Sequence, residues 1–174
     1  MKKKDINVII WQTIIIIASA GLFYWSNNLN KNQIKFLLDF YKGVPEIFFG
    51  HWLWYNEAEN CYRGSYYIIS EKCLGLNITV LIFGLCGAMN IGKFKSYKKL
   101  LWLLISGALA VVLGVFANML RLLSSIYFTS YAKFEVLHAI LGIVIYLSIM
   151  IFCYMFSKKV IKDERGGGVD EEHI

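Results

Sequence analysis

Residues 100–120 read LLWLLISGALAVVLGVFANML, twenty-one residues without a charge, preceded by Lys98 and Lys99 and closed by Arg121. About 20 mainly apolar residues make a helix long enough to cross the hydrocarbon core of a bilayer. A helix that is apolar on every face has to be buried or lipid-facing. Three further runs have the same character, at residues 6–25, 74–92 and 136–157. The chain of 174 residues is therefore read as an all-α integral membrane protein with about four transmembrane helices. Residues 1–157 form one domain and residues 158–174 a polar tail. Composition agrees: 57% of residues are hydrophobic and 17% charged, against ~45–50% and ~25% in a soluble domain.

The net charge of +6 does not mark a nucleic-acid binder, because the basic residues flank the apolar runs and are not interleaved with base-stacking aromatics. Eleven of the eighteen Lys and Arg fall in three short segments on one side: Lys2–Lys4, Lys93–Lys99 and Lys158–Arg165. Short loops rich in Lys and Arg stay cytoplasmic. Both termini and the Lys93–Lys99 loop are thus expected inside, and Asn27–Lys72 and Arg121–Glu135 outside. Lys2-Lys3-Lys4, the isoleucine-rich run and Ala18-Ser19-Ala20 also resemble a cleavable signal peptide. The apolar run continues through Trp25, so the first span is expected to be retained.

The segment Asn27–Lys72 carries Asp39, Glu46, Glu57, Glu59 and Arg63, too many charges for a lipid-facing span. The apolar spacing in residues 34–41 predicts an amphipathic helix lying in the outer interface. The aromatic and β-branched stretches Trp52–Tyr55 and Tyr66–Ile69 predict a β-hairpin, with Asn56, Asn60 and Gly64 in a long loop between them.

This topology brings three reactive side chains to one depth: Cys73 at the start of the second span, Arg121 at the end of the third, His138 at the start of the fourth. A cysteine is nucleophilic as thiolate, favoured by a neighbouring cation or a helix N-terminus. A histidine can take the thiol proton and return it to a leaving amine, and a guanidinium can hold the oxyanion of a tetrahedral intermediate. Asn118 shares a helix face with Arg121, Glu135 stands where it can orient His138, and Asn77 lies one turn from Cys73. Gly75 and Gly142 suit close helix approach. Taken singly, each residue has a plainer reading. Arg121 can snorkel to headgroups, His138 can be an interfacial polar residue, and Cys73 can pair with Cys61. Cys86 and Cys153 read as packing residues. The joint placement is what favours chemistry.

Three stretches together resemble the exosortase/archaeosortase family. They are Glu71-Lys72-Cys73-Leu74-Gly75-Leu76, Asn118-Met119-Leu120-Arg121-Leu122, and His138 followed by Gly142. Leu74 stands where Ser is usual, and four spans replace the eight or so of many members, which is similar to the compact exosortase K type. The resemblance implies a membrane-embedded cysteine transpeptidase or protease in the cytoplasmic membrane of a prokaryote. Its catalytic residues would be Cys73, Arg121 and His138, supported by Asn118, Glu135 and Asn77, with no metal and no cofactor. Its partners would be exported proteins that end in a short motif, a hydrophobic span and a basic tail. Two other classes compete. Four spans with outward Cys61 and Cys73 fit a quinone-linked disulfide-generating oxidoreductase, although no C-x-x-C pair is present. A non-catalytic subunit for surface-polymer export or assembly would leave Cys73 dispensable.

Overall fold

A computed structural model describes residues 3–50, 52–94, 96–131 and 133–166. His51, Lys95 and the end of the tail with His173 lie outside the described residues. The protein is a bundle of four helices long and apolar enough to cross a membrane, with spans Ile6–Ser26, Glu71–Asn90, Lys98–Tyr127 and Phe134–Phe156. In chain order the elements are α1 (Lys3–Ser26), α2 (Lys31–Phe49), β1 (Trp54–Asn56), β2 (Cys61–Arg63), β3 (Ile68–Ile69), α3 (Leu76–Asn90), α4 (Ser96–Tyr127) and α5 (Phe134–Gly166). The short helix α3 packs against α1, α4 and α5. Small residues bring the helices together, as is usual in lipid, where apolar burial alone does not drive association. On α3, Gly84 faces Ser19 and Gly87 faces Ile15 of α1, while Gly114 of α4 faces Thr79. Ser19, the centre of the cleavage-like Ala18-Ser19-Ala20, is thus part of the α1–α3 contact.

The amphipathic helix is present as α2. Asn30 and Gln33 form a reciprocal capping box, which satisfies two otherwise unpaired amides. Gly50, with φ of 64°, ends the helix by donating to the Glu46 carbonyl at 3.1 Å, as a left-handed C-cap does. The buried face of α2, Ile34, Leu38 and Tyr41, packs on the sheet and α4, and Phe36, Phe40 and Ile47 are left exposed.

The expected hairpin is a three-stranded antiparallel meander in the order β1-β2-β3. The long loop expected between the two outer strands contains the middle one, Cys61–Arg63. Trp54 pairs with Arg63, and Tyr62 with Ile69. Asn56 Oδ1 accepts from the Ala58 and Glu59 amides, and Asn60 adopts φ of 52°; such a side-chain turn needs few residues, leaving enough chain for a third strand. Tyr62 Oη donates to the Asp39 carboxylate of α2. Burial first, and the Asp39 hydrogen bond second, push the Tyr62 phenol up to about 12. A raised tyrosine pKa contributes stability that is complete below about 10 and is lost as pH climbs through about 12.

Two boundaries differ from expectation in ways that reshape the site. The third span does not end at Arg121. Helix α4 continues to Tyr127 and a 3₁₀ turn follows at Phe128–Ser130, so most of the expected Arg121–Glu135 loop is helical. Leu122, Ser125 and Ile126 are buried in this extension, which packs beneath the sheet. The second span does not begin as an α-helix at Cys73. A 3₁₀ turn, Glu71–Cys73, precedes Gly75, whose φ of 66° breaks the run before α3 starts. In addition, α5 runs past residue 157 to Gly166.

Candidate functional site

The site lies where the start of α3, the last third of α4 and the start of α5 meet. Asn118 and Arg121, three residues apart on α4, both point into this junction. Asn118 is fully buried; its Nδ2 donates to the Cys73 carbonyl. Arg121 Nε donates to the His138 carbonyl at 2.8 Å, and one terminal nitrogen donates to Tyr146 Oη at 2.8 Å. Tyr146 Oη in turn donates to Asn118 Oδ1 at 3.2 Å. The donors therefore run in one direction, Arg121 to Tyr146 to Asn118 to Cys73, with a branch to His138. Tyr41 of α2 closes the assembly by donating to the Leu74 carbonyl at 3.2 Å; burial is the main cause that raises its pKa, so it donates as a phenol.

The two glycines do what close approach requires. A Cβ on Gly75 would lie 2.7 Å from Asn118 Cγ, and one on Gly142 would lie 2.7 Å from Arg121 Nε. Arg121 therefore does not snorkel. It lies across Gly142 against α5, half-buried, with the Tyr146 ring 5.3 Å beneath its guanidinium. No carboxylate pairs with it among the described residues. A charge in the membrane interior costs ~2.5–3.5 kcal/mol on insertion scales, so its hydrogen bonds to a carbonyl and a phenol, together with the ring face, are what the fold supplies in place of water.

Cys73 is 3% exposed. Its amide donates to Ser70 O at 2.8 Å, and its Sγ lies 3.8 Å from the Ile68 carbonyl. It is not at a helix N-terminus as expected, because Gly75 separates it from α3. His138 is buried and stacks on Phe134 with ring centroids 5.1 Å apart. Its Nδ1 is 3.2 Å from Ser125 Oγ, while Nε2 is buried without a hydrogen-bond partner. All four cysteines are free thiols, so Cys61 and Cys73 are not joined.

Two expected supporting residues are outside this hydrogen-bonded network. Glu135 is exposed, and the His138 ring is held by Ser125 instead. Asn77 is exposed and accepts from Ser26 of α1 at 3.4 Å, in the wall of a cavity that Arg121 also lines. Conversely, Tyr146 and Ser125 belong to the network and were missed. Their signal was the spacing of 118, 121 and 125 on α4 and of 138, 142 and 146 on α5, two stripes of polar or small residues in otherwise apolar helices.

A cavity of about 360 Å³ opens beside this network, with Ser26, Lys72, Gly75, Asn77, Arg121 and Tyr146 in its wall. Cys73 and His138 are not in that wall. Comparison with protein-family models, with curated proteins and with solved structures finds no match.

The network makes a specific demand on Tyr146. Tyr146→Phe removes the acceptor for Arg121 and the donor for Asn118 together. Hydrogen bonds within membrane bundles average only ~0.6 kcal/mol and reach ~1.7. With two of them lost and a half-buried guanidinium left short of a partner, stability should fall by about 1–3 kcal/mol. Denaturant unfolding in mixed micelles checks this; a Tyr146→Phe protein as stable as the parent would mean that the chain of donors does not hold the junction.

Proposed function

We propose that the chain is a membrane-embedded cysteine transpeptidase or protease of the exosortase kind, cleaving exported proteins near a C-terminal hydrophobic span. The observation that carries the reading is the pair of hydrogen bonds from one turn of α4, Asn118 to the Cys73 carbonyl and Arg121 to the His138 carbonyl. One helix face thereby ties the thiol-bearing and imidazole-bearing backbones to a guanidinium on a cavity wall. A residue whose task was to reach lipid headgroups would have no reason to make these bonds.

In this reading substrate enters the cavity and its scissile carbonyl oxygen approaches Arg121. The Cys73 side chain turns from the Ile68 carbonyl toward it. His138 Nε2 takes the thiol proton, and the thiolate attacks the carbonyl carbon to form a C–S bond. Arg121 holds the resulting oxyanion, a contribution worth roughly 3–4 kcal/mol for a well-placed donor. As the C–N bond breaks, His138 returns the proton to the departing amine. Water or an acceptor amine then attacks the thioester, giving its proton to His138, and the Cys73 thiolate leaves and is reprotonated. The sheet and α2 face the extracytoplasmic side of a prokaryotic cytoplasmic membrane, where exported substrates arrive.

Two measurements test this. Co-expression with exported proteins carrying a C-terminal hydrophobic span and basic tail should give a shortened product that depends on the chain; no processing of any such protein would remove the proposal. For the orientation, a reporter cysteine at Ser96 should resist an impermeant thiol reagent in intact cells while one at Glu57 is labelled. The reverse pattern would place the site on the wrong face for exported substrates.

A further inference from the structure

Ser125 is fully buried on α4, one turn beyond Arg121. Its hydroxyl makes two contacts: 2.5 Å to the Arg121 carbonyl and 3.2 Å to His138 Nδ1. A serine hydroxyl has one hydrogen and two lone pairs, and a carbonyl oxygen can only accept. Two oxygens 2.5 Å apart must have a hydrogen between them, so the single serine hydrogen lies toward Arg121. The lone pairs that remain face the imidazole. Nδ1 must then carry a hydrogen and donate, and in the neutral ring Nε2 carries a lone pair and no hydrogen. Nε2 is buried and has no hydrogen-bond partner, so nothing on the protein occupies that lone pair.

We propose that Ser125 is the positioning residue that holds His138 in its Nδ1–H tautomer, presenting Nε2 as the base. Phe134, stacked on the ring at an interplanar angle of 19°, limits the flip that would exchange the two nitrogens. The arrangement has the form in which a base is oriented by a third group through its other nitrogen. Here a neutral hydroxyl takes that place, anchored by its bond to the preceding turn of the same helix. Ser125 is not itself a nucleophile: it contacts Nδ1, and its hydrogen is committed to Arg121. The catalytic use of Nε2 rests on the cysteine reading above, but the tautomer does not.

The test is nitrogen spectroscopy of the full-length protein labelled with ¹⁵N-histidine in lipid nanodiscs, with His138→Gln identifying the signal. The neutral ring should show a protonated Nδ1 and an unprotonated Nε2. Ser125→Ala should lose this signature and give a mixture of tautomers, and Ser125→Thr should restore it. On a cleavable substrate, Ser125→Ala should lower kcat on the order of 10–100-fold with KM unchanged, and Ser125→Thr should recover most of the rate. A wild-type ring protonated at Nε2 overturns the proposal, as does a Ser125→Ala spectrum identical to wild type. If Ser125→Ala does not fold, the wild-type and Ser125→Thr spectra decide. Failure of the cysteine reading would appear separately, as cleavage that survives in Cys73→Ala.

Discussion

Cys73→Ala, His138→Ala and Arg121→Ala should each reduce substrate cleavage by on the order of 10⁴-fold or more, and any double variant should be no worse than the weakest single one. Residues that act as one unit give non-additive losses of this size. In the proposed mechanism the three substitutions fail for different physical reasons. Without Cys73 no covalent bond forms. Without His138 neither the thiol proton nor the departing amine has a partner. Loss of Arg121 removes the oxyanion donor and also frees the His138 carbonyl and Tyr146 Oη, to which it donates at 2.8 Å. Arg121→Ala should therefore lose stability as well as rate, whereas Cys73→Ala, which changes only a buried thiol, should remain folded in the membrane. Arg121→Lys separates the two effects: an ammonium keeps the charge but lacks the planar fork that reaches two partners, so it should insert normally and still cleave poorly. Cleavage that adds up independently across the three sites would contradict a shared site.

Gly75→Ala should destabilise the protein by about 3 kcal/mol, the combined size of a left-handed penalty of ~1–2 kcal/mol and a comparable cost for overpacking. Gly75 has φ of 66°, and an added Cβ would lie 2.7 Å from Asn118, whose side chain is fully buried and hydrogen-bonded to Cys73. Asn118 cannot retreat without releasing the Cys73 carbonyl, so activity should fall along with stability. Gly50→Ala is the matched control, because Gly50 has φ of 64° and a Cβ there meets nothing within 4 Å. Equal unfolding of the Gly75→Ala and Gly50→Ala proteins would show that the close approach at Gly75 does not constrain the site.

The four spans and the amphipathic helix were legible because lipid imposes long apolar runs and α2 alternates its faces at helical spacing. Arg121 misled the reading of α4. A charge after twenty-one uncharged residues looks like a helix end, but Leu122 and Ile126 are buried in one core with the sheet and α2, and that cover was invisible in a local window. Gly75 misled the reading of α3. Its left-handed backbone resets the helical phase, which took Cys73 away from a helix N-terminus. The middle strand at Cys61–Arg63 was hidden by its flanking asparagines, which read as loop yet form the tight turn that makes the strand possible. Cys73, Asn118, Arg121 and His138 stood out in the sequence because each is a polar or reactive side chain beside or within a long apolar run, and the structure brings Asn118 to the Cys73 carbonyl and Arg121 to the His138 carbonyl. Tyr146 was passed over because a lone tyrosine in a span is ordinary until Arg121 is known to reach it.

The most direct test of the central claim is capture of the covalent intermediate. Purified protein is mixed with a cleavable substrate, quenched in acid within a turnover, and read by intact mass and peptide mapping. The account predicts a fragment of the substrate joined to Cys73 as a thioester, released by hydroxylamine and absent from Cys73→Ala. Substrate that is cleaved at an undiminished rate by Cys73→Ala, with no adduct on the wild-type thiol, would contradict it.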